Sequence, residues 1–112
     1  MKITSTETES VSKVLLNGRL DASSSAEAER LLLEIIAKSP GAAVFDLSSL
    51  EYVSSAGLRV LLVAAKRAQQ KGAKLALFGL NANVREVFDI SGFSAVFKIF
   101  PDEAGATASF KA

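Results

Sequence analysis

Hydrophobic positions recur at two different periods along the chain, and each change of period marks a new element. "KITSTETES", residues 2–10, alternates and is rich in Thr, which reads as an edge strand. "VSKVLLNGRLD", residues 11–21, reads as a stronger strand. In it Val11, Lys13 and Leu15 face one way, Val14 and Leu16 partly break the alternation, and Gly18 ends or bulges the strand. The period then lengthens. Ser24 followed by Glu27 forms a capping-box pair. Ala28, Leu31, Leu32, Ile35 and Ile36 make an apolar stripe at helical spacing, with Glu27, Arg30, Glu34 and Lys38 opposite. "SPG" at 39–41 stops this helix.

The second half repeats the alternation of elements. "AAVFDL", residues 42–47, is short and continuously apolar, the pattern of a strand buried on both faces. A helix is predicted from about Ala56 to Gln70, with Leu58, Leu61, Leu62, Ala65 and Ala68 toward the core. Arg59, Lys66, Arg67 and Gln70 mark its wet side, and Gly72 ends it. "AKLALFG" is a second buried strand. Asn83 and Glu86 repeat the capping signature for a short helix through Val84, Val87, Phe88 and Ile90, closed by Gly92. "AVFKIF" reads as the last strand. "PDEAGATASFKA", residues 101–112, reads as a weak C-terminal helix or tail. Buried strands alternating with helices predict an α/β domain with right-handed crossovers.

Composition narrows the chemistry. A chain of 112 residues is one domain with one core. Thirteen basic and 12 acidic side chains leave a net charge of +1, too little to attract nucleic acid broadly. With no His and no Cys, the chain has no disulfide, no zinc site with nitrogen or sulfur ligands, no cysteine nucleophile and no Ser-His-Asp triad. Lack of Cys fits a cytoplasmic protein. "MKITSTETES" has no apolar centre and is not a signal peptide. "VLLVAA" at 60–65, the longest apolar run, is too short to cross a bilayer. No Walker spacing and no G-x-G-x-x-G occur. The expectation is a protein without catalytic residues, metal site or cofactor.

One stretch remains unexplained by packing. In "FDLSSLEYVSSAGLRVLL" two adjacent serines, Ser54 and Ser55, stand where a helix begins. One serine suffices to cap a helix, at roughly 1 kcal/mol. The other reading is a phosphorylation site, since free N–H groups and partial positive charge at a helix N-terminus accommodate a phosphate. The two readings are compatible.

The same stretch resembles the signature loop of the STAS family, in particular the bacterial anti-sigma factor antagonists. Asp46, Leu47 and Ser48 match its first part; Ser55, Gly57 and Leu58 match its second. "GRLDASSSAEAERLL" resembles the family's Gly-x-Leu-Asp turn, and "NANVREVFDISGFSAVFKIFPDEAGA" is similar to its closing helix, strand and tail. The resemblance implies a single STAS-like domain over 1–112, a mixed, mostly parallel sheet of four to five strands with helices packed mainly on one face.

It also implies a switch. The unmodified protein binds an anti-sigma factor that is also a serine kinase and so releases the sigma factor; phosphorylation of the loop serine ends binding, and a serine phosphatase resets the cycle. The implied phosphorylated residue is Ser55, with Ser54 as second choice. Asp21, Ser54, Ser55, Ala56, Gly57 and Leu58 are the implied partner-binding residues. Asp21 has a turn or cap role as its alternative, and Gly57 simple helix packing. Asp46 holds the loop through its N–H groups. Ser54 departs from the family pattern, which has Asp there, and position 56 is Ala rather than Ser or Thr. A non-phosphorylated STAS module, serving a transporter or a stress-signalling complex, is the alternative. The expected species is a monomer or weak dimer, with no direct nucleic acid contact and no membrane insertion. Tyr52, Val53 and Leu58 are expected at the rim of an exposed apolar patch beside the loop.

Overall fold

The computed structural model describes residues 1–8, 10–39 and 41–111, the last without its side chain. Glu9 of the first strand segment, Pro40 of the helix stop and Ala112 of the tail lie outside the described residues. Strands β1 (Lys2–Thr8) and β2 (Val11–Leu20) form an antiparallel pair. Helix α1 (Ser25–Lys38) leads to β3 (Ala42–Asp46), which pairs parallel to β2. A short strand β4 (Leu50–Val53) precedes α2 (Ser55–Lys71). Then come β5 (Lys74–Phe78), α3 (Ala82–Ile90), β6 (Ile99–Phe100) and α4 (Glu103–Ala108). The sheet order is β1-β2-β3-β5-β6, with β4 also paired to β2.

β4 raises the expected four to five strands to six. So short a segment offers no alternation to recognise in the sequence. It exists because β2 is long enough to serve two partners. Val11–Leu15 pairs with β3, and Gly18–Leu20 pairs parallel with β4 after a register shift between Gly18 and Arg19. Gly18 sits at φ +113°, a backbone geometry that disfavours side chains, and is the first residue of β2 to pair with β4; the extra residue at the register shift is Glu51 of β4, so the bulge lies across from Gly18 and not at it.

The sheet has two covered faces. On one, Val14, Leu16, Ala43, Phe45 and Leu77 pack under α1, α2 and α3 in the main core. On the other, Val44, Ala76 and Phe78 pack under Ala106 of α4, with Val11, Phe100 and Phe110 around them. The tail is thus an ordered helix, capped by Asp102 through the Gly105 N–H at 2.8 Å, with Ala106 fully buried.

Four local readings need correction. Ser24 does not cap α1: its hydroxyl donates to the Arg19 carbonyl at 2.9 Å and accepts from the Asp21 N–H at 3.0 Å, while Glu27 pairs with Arg30. The preceding turn claims the hydroxyl first. The buried stripe of α2 is Gly57, Leu58, Val60, Leu61, Ala64 and Ala68, with Leu62 and Ala65 only half-buried. This helix packs on α1 as well as on the strands, which rotates and widens its apolar face. α3 is capped by Asn81, not Asn83, through the Val84 N–H at 2.8 Å. Ile90, at its end, is 79% exposed. Finally, "AVFKIF" is mostly not strand. Phe93–Ala95 is a 3-10 turn that sets Phe97 edge-on against Phe88 at 5.5 Å, leaving two residues to pair with β5.

Candidate functional site

The parallel strands β2, β3, β4 and β5 all point the same way, so the loops at their C-terminal ends gather along one edge. In parallel sheets this is the edge where sites form. The residues singled out in the sequence lie along that edge: Asp21 follows β2, Asp46 ends β3, Ser54 precedes α2 and Ser55–Leu58 form its first turn.

The double serine divides its tasks. Ser54 is the N-cap of α2: its extended backbone precedes the helix and its Oγ accepts the Gly57 N–H at 3.2 Å. Its own N–H donates to the Leu20 carbonyl at 2.9 Å, which ties the loop to the end of β2. Ser55 is the first helical residue and its side chain is exposed. Ser54 and the Ser54 carbonyl satisfy the Gly57 and Leu58 N–H groups, leaving those of Ser55 and Ala56 as the first-turn donors nearest the exposed hydroxyl.

Asp21 is brought close through the same tie, being the residue after Leu20. Its carboxylate accepts from the Ser23 hydroxyl at 2.7 Å and the Ser23 N–H at 3.1 Å. These bonds, the Ser23 hydroxyl foremost, hold its pKa below the ordinary carboxylate value. Its second oxygen lies 3.9 Å from Nε of Arg19. No motif in the sequence marks Arg19. It stands opposite Tyr52 in the β2–β4 register and lays its guanidinium 4.4 Å from the ring centroid. Without β4 recognised, nothing in the sequence placed these two residues side by side.

Asp46 accepts the Ser48 N–H at 2.9 Å and also the Ser48 hydroxyl, a closed turn at the end of β3. Asn81 donates to the Leu50 carbonyl at 3.0 Å, fixing the start of β4 from the other side.

Gly57 and Leu58 are buried and offer a partner no side-chain surface. A β carbon at Gly57 would lie 2.4 Å from the Leu20 carbonyl oxygen and 2.8 Å from its Cγ. The absence of a side chain at Gly57 therefore lets α2 seat on β2, the packing alternative for this residue. The expected apolar patch shrinks likewise. Val53 and Leu58 are core residues, and Tyr52 alone of the three is exposed, at 40%. What faces outward is mainly polar or charged: Asp21, Ser55 and the Arg19–Tyr52 pair, with half-buried Ala56 beside them. Among the described residues no three acidic, His or Cys side chains converge to hold a metal ion, and no helix is long and apolar enough to cross a membrane.

Comparison with known proteins gives the loop edge a context. Over 111 residues, 99% of this chain and 96% of its own length, BtrV of Bordetella bronchiseptica is 37% identical; it is assigned as an anti-sigma factor antagonist. The Thermotoga maritima protein TM1081, with the same assignment, superposes with a TM-score of 0.90 at 18% identity, covering 98% of this chain and 95% of its own. SpoIIAA of Bacillus in its phosphorylated form superposes with a TM-score of 0.71 at 15% identity, covering 96% and 99%. The STAS domain model matches residues 2–106, nearly the whole sequence, and the chain belongs to the STAS domain family.

Proposed function

We propose that the chain is an anti-sigma factor antagonist whose loop edge binds an anti-sigma factor with serine kinase activity, and that phosphorylation of Ser55 ends the binding. The observation that carries this reading is the division of labour between the serines. Ser54 is occupied as the cap, while Ser55 is exposed at the first position of α2. The relationship to BtrV supports the antagonist role, and the occurrence of SpoIIAA in a phosphorylated form supports the modification. A serine phosphatase would restore the binding form.

The physical basis is an asymmetry between free and bound states. A phosphoserine carries about −1.5 to −2 charge. In the free protein that charge faces water and the positive end of α2, so the fold is hardly disturbed. In the complex it must be desolvated against a surface shaped for a neutral hydroxyl, at a cost of several kcal/mol. Each 1.4 kcal/mol is about tenfold in affinity. Loss of about a hundredfold or more follows for the phosphate, and less for Asp with its single charge.

The test is titration of wild type, Ser55→Ala, Ser55→Asp and Ser54→Ala against the anti-sigma factor, with and without ATP. Ser55→Ala should bind and ignore ATP. Ser55→Asp should bind poorly. Ser54→Ala should lose about 1 kcal/mol of stability with its cap yet still respond to ATP. ATP insensitivity of Ser54→Ala alone would move the site to Ser54. A response to ATP that survives both substitutions would sink the switch.

A further inference from the structure

A cleft of 680 Å³ opens on a different part of the molecule from the serine loop, along the C-terminal half of α2. Its size is within the range of about 300–1,000 Å³ usual for small-molecule sites. It exists because β6 is short: only Leu77 and Phe78 of β5 gain an outer neighbour, and the start of β5 is left bare on that side. Leu62 and Ala65 of α2, Leu75 of β5 and Phe110 of the C-terminal turn form its walls. All four are half-buried apolar groups. Phe97, 7% exposed and held edge-on against Phe88 and tilted against Phe93, is its floor.

The rim has one sign of charge. Lys66, Lys74 and Lys98 line the opening, all exposed, and no Asp or Glu is among the described residues that line it. None of the five ion pairs among the described residues uses any of the three. Lys74 has a bond from Nζ to the Phe110 carbonyl at 3.3 Å, which holds it beside the mouth. This charge is local, because the chain as a whole carries only +1. From Leu62 to Gly72 the cleft runs along roughly 15 Å of helix, which favours a long narrow ligand over a compact one.

We propose that this cleft binds a single alkyl chain bearing an anionic head, a carboxylate or a phosphate. The chain lies on Phe97 between Leu62, Leu75 and Phe110. The head lies among Lys66, Lys74 and Lys98. The site starts two helical turns from Ser55 and does not depend on the antagonist reading.

The full chain is titrated below micelle-forming concentrations with laurate, dodecyl phosphate, dodecyl maltoside and dodecyltrimethylammonium, followed by calorimetry and amide NMR. Saturable binding of one anion per chain is expected, with shifts at the cleft residues and not at Ser55. Comparing laurate with dodecyl phosphate tells which head is preferred. Removing one methylene from the acid should weaken binding about fourfold. Lys66→Glu with Lys98→Glu should weaken both anions about tenfold and leave the maltoside unaffected. Ala65→Phe, which fills the cleft, should abolish binding. The proposal fails if neither anion saturates, if the cationic amphiphile binds as well, or if the lysine reversals change nothing. It fails equally if the cleft resonances shift with protein concentration alone, since a second copy of the chain is then the occupant.

Discussion

At the scale of single residues, Gly57 and Asp21 show how tightly the loop edge is built. Any side chain at Gly57 collides with the backbone of Leu20, whose carbonyl also holds the Ser54 N–H. Gly57→Ala gains helix propensity, up to about 1 kcal/mol, and must displace that carbonyl, which costs more. A net loss of about 1–3 kcal/mol is expected in urea unfolding, and an unchanged midpoint would remove Gly57 from the packing. Asp21 yields a test by titration. Its depressed pKa comes first from the Ser23 hydroxyl, so Ser23→Ala should raise the carbon-NMR midpoint of Asp21 toward the ordinary value. The sign for stability follows from linkage. A carboxyl whose folded pKa is lowered stabilises the fold above its unfolded pKa and loses that contribution as pH falls through the folded one. Wild type should therefore lose more stability than Ser23→Ala between about pH 4 and the folded midpoint. Parallel acid-unfolding curves would count against the turn.

At the scale of elements, α1 and α2 are joined by more than apolar contact. Lys71, the last residue of α2, donates from Nζ to the carbonyls of Ile36, Ala37 and Ser39 at 2.7, 2.8 and 2.7 Å. These belong to the C-terminal end of α1 and its C-cap, where the Ser39 N–H reaches only the Ile36 carbonyl, at 3.1 Å, and the end carries partial negative charge. Lys71→Met keeps the stem and removes the donor. It should cost about 1 kcal/mol and speed amide exchange in the last turn of α1 more than elsewhere. Uniform or absent acceleration would show the clamp to be idle. Such a clamp is invisible in sequence, because it joins residues more than 30 positions apart. What the sequence disclosed was periodic. The α1 stripe, the buried runs of β3 and β5, and the serine loop with its strand–turn–helix setting were all readable from local pattern. What it hid depended on partners. β4 is strand only because the far end of β2 is free to pair with it, and Ser24 is not a cap only because Arg19 and Asp21 engage it. The same dependence explains why Asp21 and Ser55 could be named in advance while Arg19 could not.

At the scale of the whole molecule, the question is what makes a two-faced sheet stable when three helices crowd one side. Among the described residues the other side is covered by α4, a six-residue helix too short to persist alone, and the turn that follows it. Among the described residues two kinds of contact hold α4: the Lys13–Glu103 ion pair at 2.7 Å and apolar packing, chiefly of Ala106 on Val44, Ala76 and Phe78 with Phe100 and Phe110 around them. They are unequal. The ion pair is solvent-exposed, and such pairs contribute about 0.2–1 kcal/mol. The apolar face that α4 covers includes Phe78, and fully burying a side chain of that kind stabilises by about 1.5–3 kcal/mol. Glu103→Gln should therefore lower stability by less than about 1 kcal/mol and leave the chain's association state alone. Ala106→Arg cannot place its charge in the packed site and should undock α4 instead. The loss should then be about 2 kcal/mol or more, with concentration-dependent association in light scattering as the Val44, Ala76 and Phe78 face opens. The serine loop draws its support from β4, α2 and the far end of β2 at Gly18–Leu20, whereas β2 meets the α4 side through Val11 and Lys13 at its other end. Amide resonances of Ser54–Leu58 should consequently stay in place in Ala106→Arg while those around Phe78 move. If both regions shift together, the two faces of the sheet are one cooperative unit and the second core is not separable from the first.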